Sequence, residues 1–153
     1  AFPVGLNAGE SVDIEGFKLT AVPAAHEQLD IDEQGRHRYL GYVAQFGGFS
    51  IYHSGDTILY EGMAEILRPF QVDLALLPIN GRDPKRGVAG NLNAEEAAWL
   101  GKAIGAKLVV PCHYDLFTFN TADPEDFAAA ARRLEQPFQI LKCGERLDFQ
   151  AQS

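Results

Sequence analysis

Residues 49–79 read FSIYHSGDTILYEGMAEILRPFQVDLALLPI. Phe49 and Ile51 alternate with polar neighbours as in a strand, and Leu59, Met63, Ile66 and Leu67 then recur at helical spacing. Val72 to Ile79 follows as a nearly continuous apolar run of the kind buried on both faces of a sheet. Strand, helix, strand in that order is the repeating unit of a parallel sheet, so the chain is predicted to be α/β. Pro69 ends the helical pattern, Thr57 is placed to cap its start, and Asp56 falls in the strand-to-helix turn.

Toward the N-terminus, Leu40, Tyr42, Ala44 and Phe46 alternate up to Gly47-Gly48, which predicts a tight hairpin with the Phe49 strand. A second hairpin is predicted around Glu15-Gly16, between Val12 and Ile14 on one side and Phe17, Leu19 and Ala21 on the other. Its second strand runs on to Ala25 and ends at His26. Residues 27–38 (EQLDIDEQGRHR) are charged, and form either a lip over whatever His26 serves or a solvated excursion.

Toward the C-terminus, the polar loop Asn80 to Asn93 leads to a capping box of Asn93 and Glu96, a helix through Ala97, Leu100 and Ile104, and a C-cap at Gly105. Lys107 to Pro111 is the next buried strand and runs into Cys112-His113-Tyr114-Asp115. Asp123-Pro124 starts a helix carrying Phe127, Ala130, Ala131 and Leu134, and a final strand pair is expected from Phe138 to Phe149. No repeat, low-complexity tract or linker divides residues 1–153, so one domain is expected.

The 153 residues are 46% apolar and 10% aromatic, enough for a real core. A net charge of -8 opposes binding to a phosphate backbone, and no apolar run approaches the roughly 20 residues that cross a bilayer. Neither nucleic acid nor membrane is an expected partner. The only cysteines, Cys112 and Cys143, are too few for a disulfide framework, which points to reduced thiols in a cytoplasm. Ala1 stands where an initiator Met or signal peptide would, so the chain reads as a fragment.

Ligands of α/β sheets settle outside the carboxyl ends of the strands, which sets His26, Asp56, the Asn80 to Asn93 loop and His113 on one rim. Histidine with carboxylate is a ligand set for a divalent metal. Each residue also has a plainer reading: His26 as a packed or surface histidine, Asp56 as a helix cap. Gly55 lets the backbone turn tightly beneath an ion, which capping does not require. Cys112 and His113 should point to opposite faces and so do not form a nucleophilic pair. Asp115 either holds the ring of His113 or is an ordinary loop aspartate. His53 shares its strand face with Phe49 and Ile51 and is expected in the core or just beneath the site; His37, in a charged loop, is expected to be exposed. Arg82, Lys85 and Arg86 bring cations to the rim of an acidic protein. Arg82 is the candidate for gripping an anionic substrate, with Lys85 or Arg86 assisting, unless the loop is simply solvated.

Five segments in order, Val22-Pro23-Ala24-Ala25-His26, Tyr52-His53-Ser54-Gly55-Asp56-Thr57, Leu77-Pro78-Ile79-Asn80-Gly81-Arg82, Gly90-Asn91-Leu92-Asn93 and Pro111-Cys112-His113-Tyr114-Asp115, resemble the metallo-β-lactamase-fold hydrolases. Within them the chain looks like the L-ascorbate-6-phosphate lactonase type. The resemblance implies an αββα sandwich in which His26 belongs to the first metal position, His113 to the second, and Asp56 bridges the two. Manganese or zinc would be the ion, and Asp56 and His113 would take part in catalysis by a metal-activated water. Arg82, with Asn80 and Asn91, would face a small anionic, sugar-phosphate-like substrate.

Such families carry a His-x-His-x-Asp-His motif that is absent here, so the chain resembles their C-terminal half alone. Three ligands over two metal positions leave each underfilled, since a catalytic zinc normally has three protein ligands of its own. Weak or absent metal binding and no activity are therefore expected of this chain by itself. One apolar sheet face would need a cover, from an N-terminal half of the same protein or from a second copy. The competing readings are a non-catalytic binding or assembly domain on the same fold, and a cysteine-dependent hydrolase using Cys112.

Overall fold

Two-residue hairpin turns that match the twist of a sheet need positive φ at both positions, and Glu15, Gly16, Gly47 and Gly48 all adopt it. The computed structural model describes residues 3–87 and 89–149. The two hairpins are β1 (Ser11–Ile14) with β2 (Phe17–Pro23), and β3 (Leu40–Phe46) with β4 (Phe49–His53). There follow α1 (Met63–Leu67), β5 (Leu74–Pro78), α2 (Ala94–Ile104), β6 (Leu108–Cys112) and α3 (Pro124–Arg133). The strands form one six-stranded sheet in chain order. Pairing is antiparallel from β1 through β4 and parallel from β4 through β6, a mixed sheet as expected from hairpins followed by strand-helix units.

Alternation along the strands sends Val43, Tyr52, Ala75, Leu77 and Val109 to one face, where they form a single core with Met63 and Leu67 of α1, Leu100 and Ile104 of α2, and Phe127 and Ala131 of α3. Side chains of this size contribute about 1.5–3 kcal/mol each when fully buried. Gly101 lets α2 lie directly on β6, since a Cβ there would stand 2.4 Å from Val109 Cγ2. The other face carries Phe49, Ile51, Leu74, Leu76 and Val110, which line an open apolar depression of about 400 Å³. The described residues thus form one mixed sheet with one helical layer.

Two expectations are corrected. Thr57 does not cap a helix: α1 begins at Met63 behind Gly62, with no side-chain cap, because the Thr57 hydroxyl is taken by the backbone of Ala25. The strand pair expected from Phe138 to Phe149 is reduced to one bridge, Phe138 to Val109. Past that bridge Tyr114 Oη holds Leu141 O at 2.6 Å, and Leu141, Leu147 and Phe149 lie over the apolar depression. Burying those three side chains against the open face wins over extending the sheet by a strand pair.

Candidate metal centre

His26, Asp56 and His113 stand just past the carboxyl ends of β2, β4 and β6, three segments far apart in sequence. His26 Nε2 lies 3.6 Å and His113 Nε2 lies 3.7 Å from the same atom, Asp56 Oδ2. Both separations exceed hydrogen-bonding distance, so three polar atoms face one another with their lone pairs uncommitted. Their side chains are 30%, 20% and 47% exposed for His26, His113 and Asp56, which opens the cluster to solvent at the rim.

The turn carrying Asp56 is held from several sides. Gly55 sits at φ 62°, where a Cβ would come 2.9 Å from Leu40 O, and a Cβ on Gly41 would come 2.8 Å from Ser54 O. The backbones of these two segments therefore meet with no room for a side chain between them. His53 Nδ1 accepts the Gly55 N–H at 3.0 Å, and the Ser54 hydroxyl donates to Gly55 O at 2.7 Å. His53 itself is exposed, contrary to expectation, because the face it shares with Phe49 and Ile51 is the uncovered one. His113 adopts φ 65° and Asp115 φ 57°, left-handed conformations that a non-glycine residue holds only under constraint.

Asp115 does not hold the His113 ring: it is exposed and its N–H donates to Thr121 Oγ1 at 3.0 Å, while His113 Nδ1 is buried with no partner. Burial, and then the charge of nearby Asp56, push the Cys112 thiol up to about 12. A thiol so disfavoured as thiolate is a poor nucleophile. Cys112 and Cys143 are both free.

The residues expected to grip substrate are committed elsewhere. Arg82 Nη2 and Nη1 donate to Glu96 Oε1 and Oε2 at 2.5 and 2.8 Å, so its fork is filled by the glutamate of the α2 capping box. Arg82 is raised by its hydrogen bonds to Glu96; for Glu96, burial pushes upward, but Arg82 and the Asn93 N–H outweigh it and hold the carboxyl below its usual range. Asn91 Nδ2 donates to Asn80 Oδ1 at 3.0 Å and Asn80 Nδ2 to Asn120 Oδ1 at 2.9 Å, a chain of amides in which Asn80 and Asn91 are buried. Arg86 Nη1 donates to Asn80 O. Asn80 and Asn91 thus build the loop rather than present themselves to a ligand. Lys85 is exposed.

The charged segment after β2 does form a lip. Glu27, Gln28 and Asp30 join His26, Tyr39 and Ala89 around a pocket of about 100 Å³, and Tyr39 packs its edge on the His26 ring at 5.3 Å. His37, expected to be exposed, is half-buried in a bridge to Ile31. A larger cavity of about 630 Å³ lies between the β3–β4 hairpin and the start of β5, and none of the rim residues line it.

The donor set was tested against a metal by its spacing. Tetrahedral ligands at zinc distances of 2.0–2.2 Å stand about 3.4 Å apart, close to both separations at Asp56. Two imidazole nitrogens at that distance from one carboxylate oxygen are a donor set that suits a divalent ion. Among the described residues no group of three or more His, Cys, Asp or Glu side chains is arranged to hold a metal ion by itself. Sequence reasoning missed Thr57 as the partner of Ala25, Glu96 as the partner of Arg82, and Asn120. The Asn93-x-x-Glu96 pattern did mark Glu96 as a placed carboxylate, whereas nothing in the sequence distinguishes Asn120.

Residues 3–114 match the family model described as a beta-lactamase superfamily domain. The chain is 36% identical over 149 residues to a UPF0173 metal-dependent hydrolase of Rubrobacter xylanophilus, covering 93% of this chain and 59% of that protein. It is 33% identical over 153 residues to another of Methanosarcina mazei, covering 97% and 63%. Among solved structures it is similar to Igni18, a novel metallo hydrolase from the hyperthermophilic archaeon Ignicoccus hospitalis, at 26% identity and a TM-score of 0.78, over 97% of this chain and 61% of that one. The chain spans about three fifths of the length of the curated relatives it matches. Its mixed sheet and single helical layer have the metallo-β-lactamase fold, and the chain belongs to the family of beta-lactamase superfamily domains.

Proposed function

We propose that this chain supplies one side of a metal-dependent hydrolase site that opens a lactone or similar ester of a small anionic, sugar-phosphate-like substrate. The observation that carries the reading is the single oxygen, Asp56 Oδ2, set between His26 Nε2 and His113 Nε2. His26, Asp56 and His113 would hold the metal, and manganese or zinc would suit their nitrogen and oxygen donors. When bound, a divalent ion supplies Lewis acidity, which makes water nucleophilic at neutral pH and polarises a carbonyl. The chain's own residues orient the donors: the Gly55 turn fixes Asp56, and Tyr39 packs the His26 ring. Cys112 stays a protonated thiol and takes no part as nucleophile. With the fork of Arg82 engaged by Glu96, Lys85 and Arg86 are the loop cations left for the substrate's anionic group.

The remaining ligands come from a His-x-His-x-Asp-His segment in an N-terminal part of the same protein, which also covers the apolar face of the sheet. What supports this is the length of the relatives and the open depression at Ile51, Leu74 and Val110. Alone, the 153-residue chain binds metal weakly and is inactive. The acidic balance and the free cysteines go with a cytoplasmic protein that does not bind nucleic acid, and no described helix is long and apolar enough to cross a membrane. That no group of three such side chains among the described residues is arranged to hold a metal by itself supports a second reading, a binding or assembly domain without chemistry.

The test takes the product of the full reading frame, strips it with a chelator, and assays a panel of lactones and phosphorylated esters before and after adding back manganese or zinc. Turnover that returns with the metal is expected. No metal-dependent turnover on any member would leave the binding reading in its place.

A further inference from the structure

Three segments that build the rim converge on one buried residue. Thr57 has no solvent exposure. Its Oγ1 accepts the N–H of Ala25 at 2.9 Å and donates to Ile58 O at 2.9 Å, while Ile58 N returns a hydrogen bond to Ala25 O at 2.7 Å. Its own carbonyl accepts the N–H of Leu92 at 2.7 Å. Ala25 is the residue before His26, Thr57 the residue after Asp56, and Leu92 belongs to the loop that follows β5.

Past the ends of β2 and β4 the sheet no longer sets register, and β2 and β4 are not neighbours, since β3 lies between them. Pairing with β3 fixes β2 and β4 as far as Pro23 and His53, and the few residues from there to His26 and Asp56 are placed by contacts made beyond the strands. The two hydrogen bonds between Ala25 and residues 57 and 58 are such a contact, and one of them depends on a side chain. We infer that Thr57 is a positioning residue of the metal centre: its hydroxyl holds the backbone of residue 25 so that His26 Nε2 and Asp56 Oδ2 keep a spacing both can use on one ion. A hydroxyl is required because the Ala25 N–H is buried and needs an acceptor, and Val, of the same shape, provides none. Ser retains the acceptor.

The inference rests on the metal-centre reading above, and the experiment separates the two. Cobalt(II) affinity and the intensity of its visible absorption are measured on the full gene product for wild type, Thr57→Val, Thr57→Ala, Thr57→Ser, Asp56→Asn and the remote core variant Val72→Ala. Thr57→Val and Thr57→Ala should each lose at least tenfold in affinity with a changed spectrum, Thr57→Ser should stay within about twofold, and Val72→Ala should stay within about twofold although its melting temperature also falls. Should Thr57→Val fail to fold, Thr57→Ala against Thr57→Ser gives the same comparison. The inference is overturned if the hydroxyl-free variants bind cobalt as wild type does, or if Val72→Ala loses as much as they do. If Asp56→Asn also binds as wild type, the metal-centre reading itself has failed; if Asp56→Asn loses cobalt and Thr57→Val does not, only the positioning role has.

Discussion

Asp56 Oδ2 has the imidazole nitrogens of His26 and His113 at 3.6 and 3.7 Å, and its charge reaches its neighbours. Burial, and then the nearby Asp56 carboxylate, push the Cys112 thiol up to about 12 and disfavour the thiolate. Cys112→Ser should therefore leave hydrolysis by the full gene product within about twofold of wild type, and iodoacetamide at pH 8 should not inhibit it. Rapid inactivation by alkylation would restore the cysteine-hydrolase reading. His26, Asp56 and His113 were legible in the sequence because each polar residue directly follows an apolar, strand-like run, and a sheet gathers such ends at one edge. Arg82 was misread for an instructive reason. A guanidinium recognises any well-placed carboxylate, and the sequence marks Glu96 as a helix cap without revealing that the loop folds back to bring Arg82 against it. Of its two readings Asp115 takes the ordinary loop aspartate, with left-handed backbone at His113 and Asp115 turning the chain there.

The turn between β4 and α1 shows how much of a site is backbone. Gly55 has both a left-handed φ and a neighbouring carbonyl in the space of its missing Cβ. Gly55→Ala should destabilise the protein by about 1–3 kcal/mol in urea denaturation, the cost of a strained backbone position. It should weaken metal binding as well, since the residue shifted is the neighbour of Asp56; unchanged stability would mean that the turn is not as constrained as its contacts indicate. Elements defined by local chemistry were readable: both hairpin turns, the Asn93–Glu96 capping box, and the Asp123-Pro124 helix start all form where their residues place them. Elements decided by non-local burial were not. Residues 138–149 carry strand-like residues, yet the uncovered sheet face competes for them and Leu141, Leu147 and Phe149 settle on it.

Periodicity established the α/β class, and the family match gives the fold its name. A sheet with helices on one side leaves an apolar depression at Phe49, Ile51 and Leu76 that Leu141, Leu147 and Phe149 cover only in part, and a face of that kind seeks a partner. The 16.8 kDa chain should therefore self-associate on light scattering. A strictly monomeric isolated chain would count against the uncovered-face argument. The account as a whole turns on one carboxylate oxygen shared by two imidazoles. Elemental analysis of the full gene product, compared with Asp56→Asn and His26→Ala, addresses it directly. Wild type should carry manganese or zinc in stoichiometric amount, His26→Ala should lose part of it, and Asp56→Asn should lose most; an Asp56→Asn protein with its full metal content would contradict the metal-centre reading.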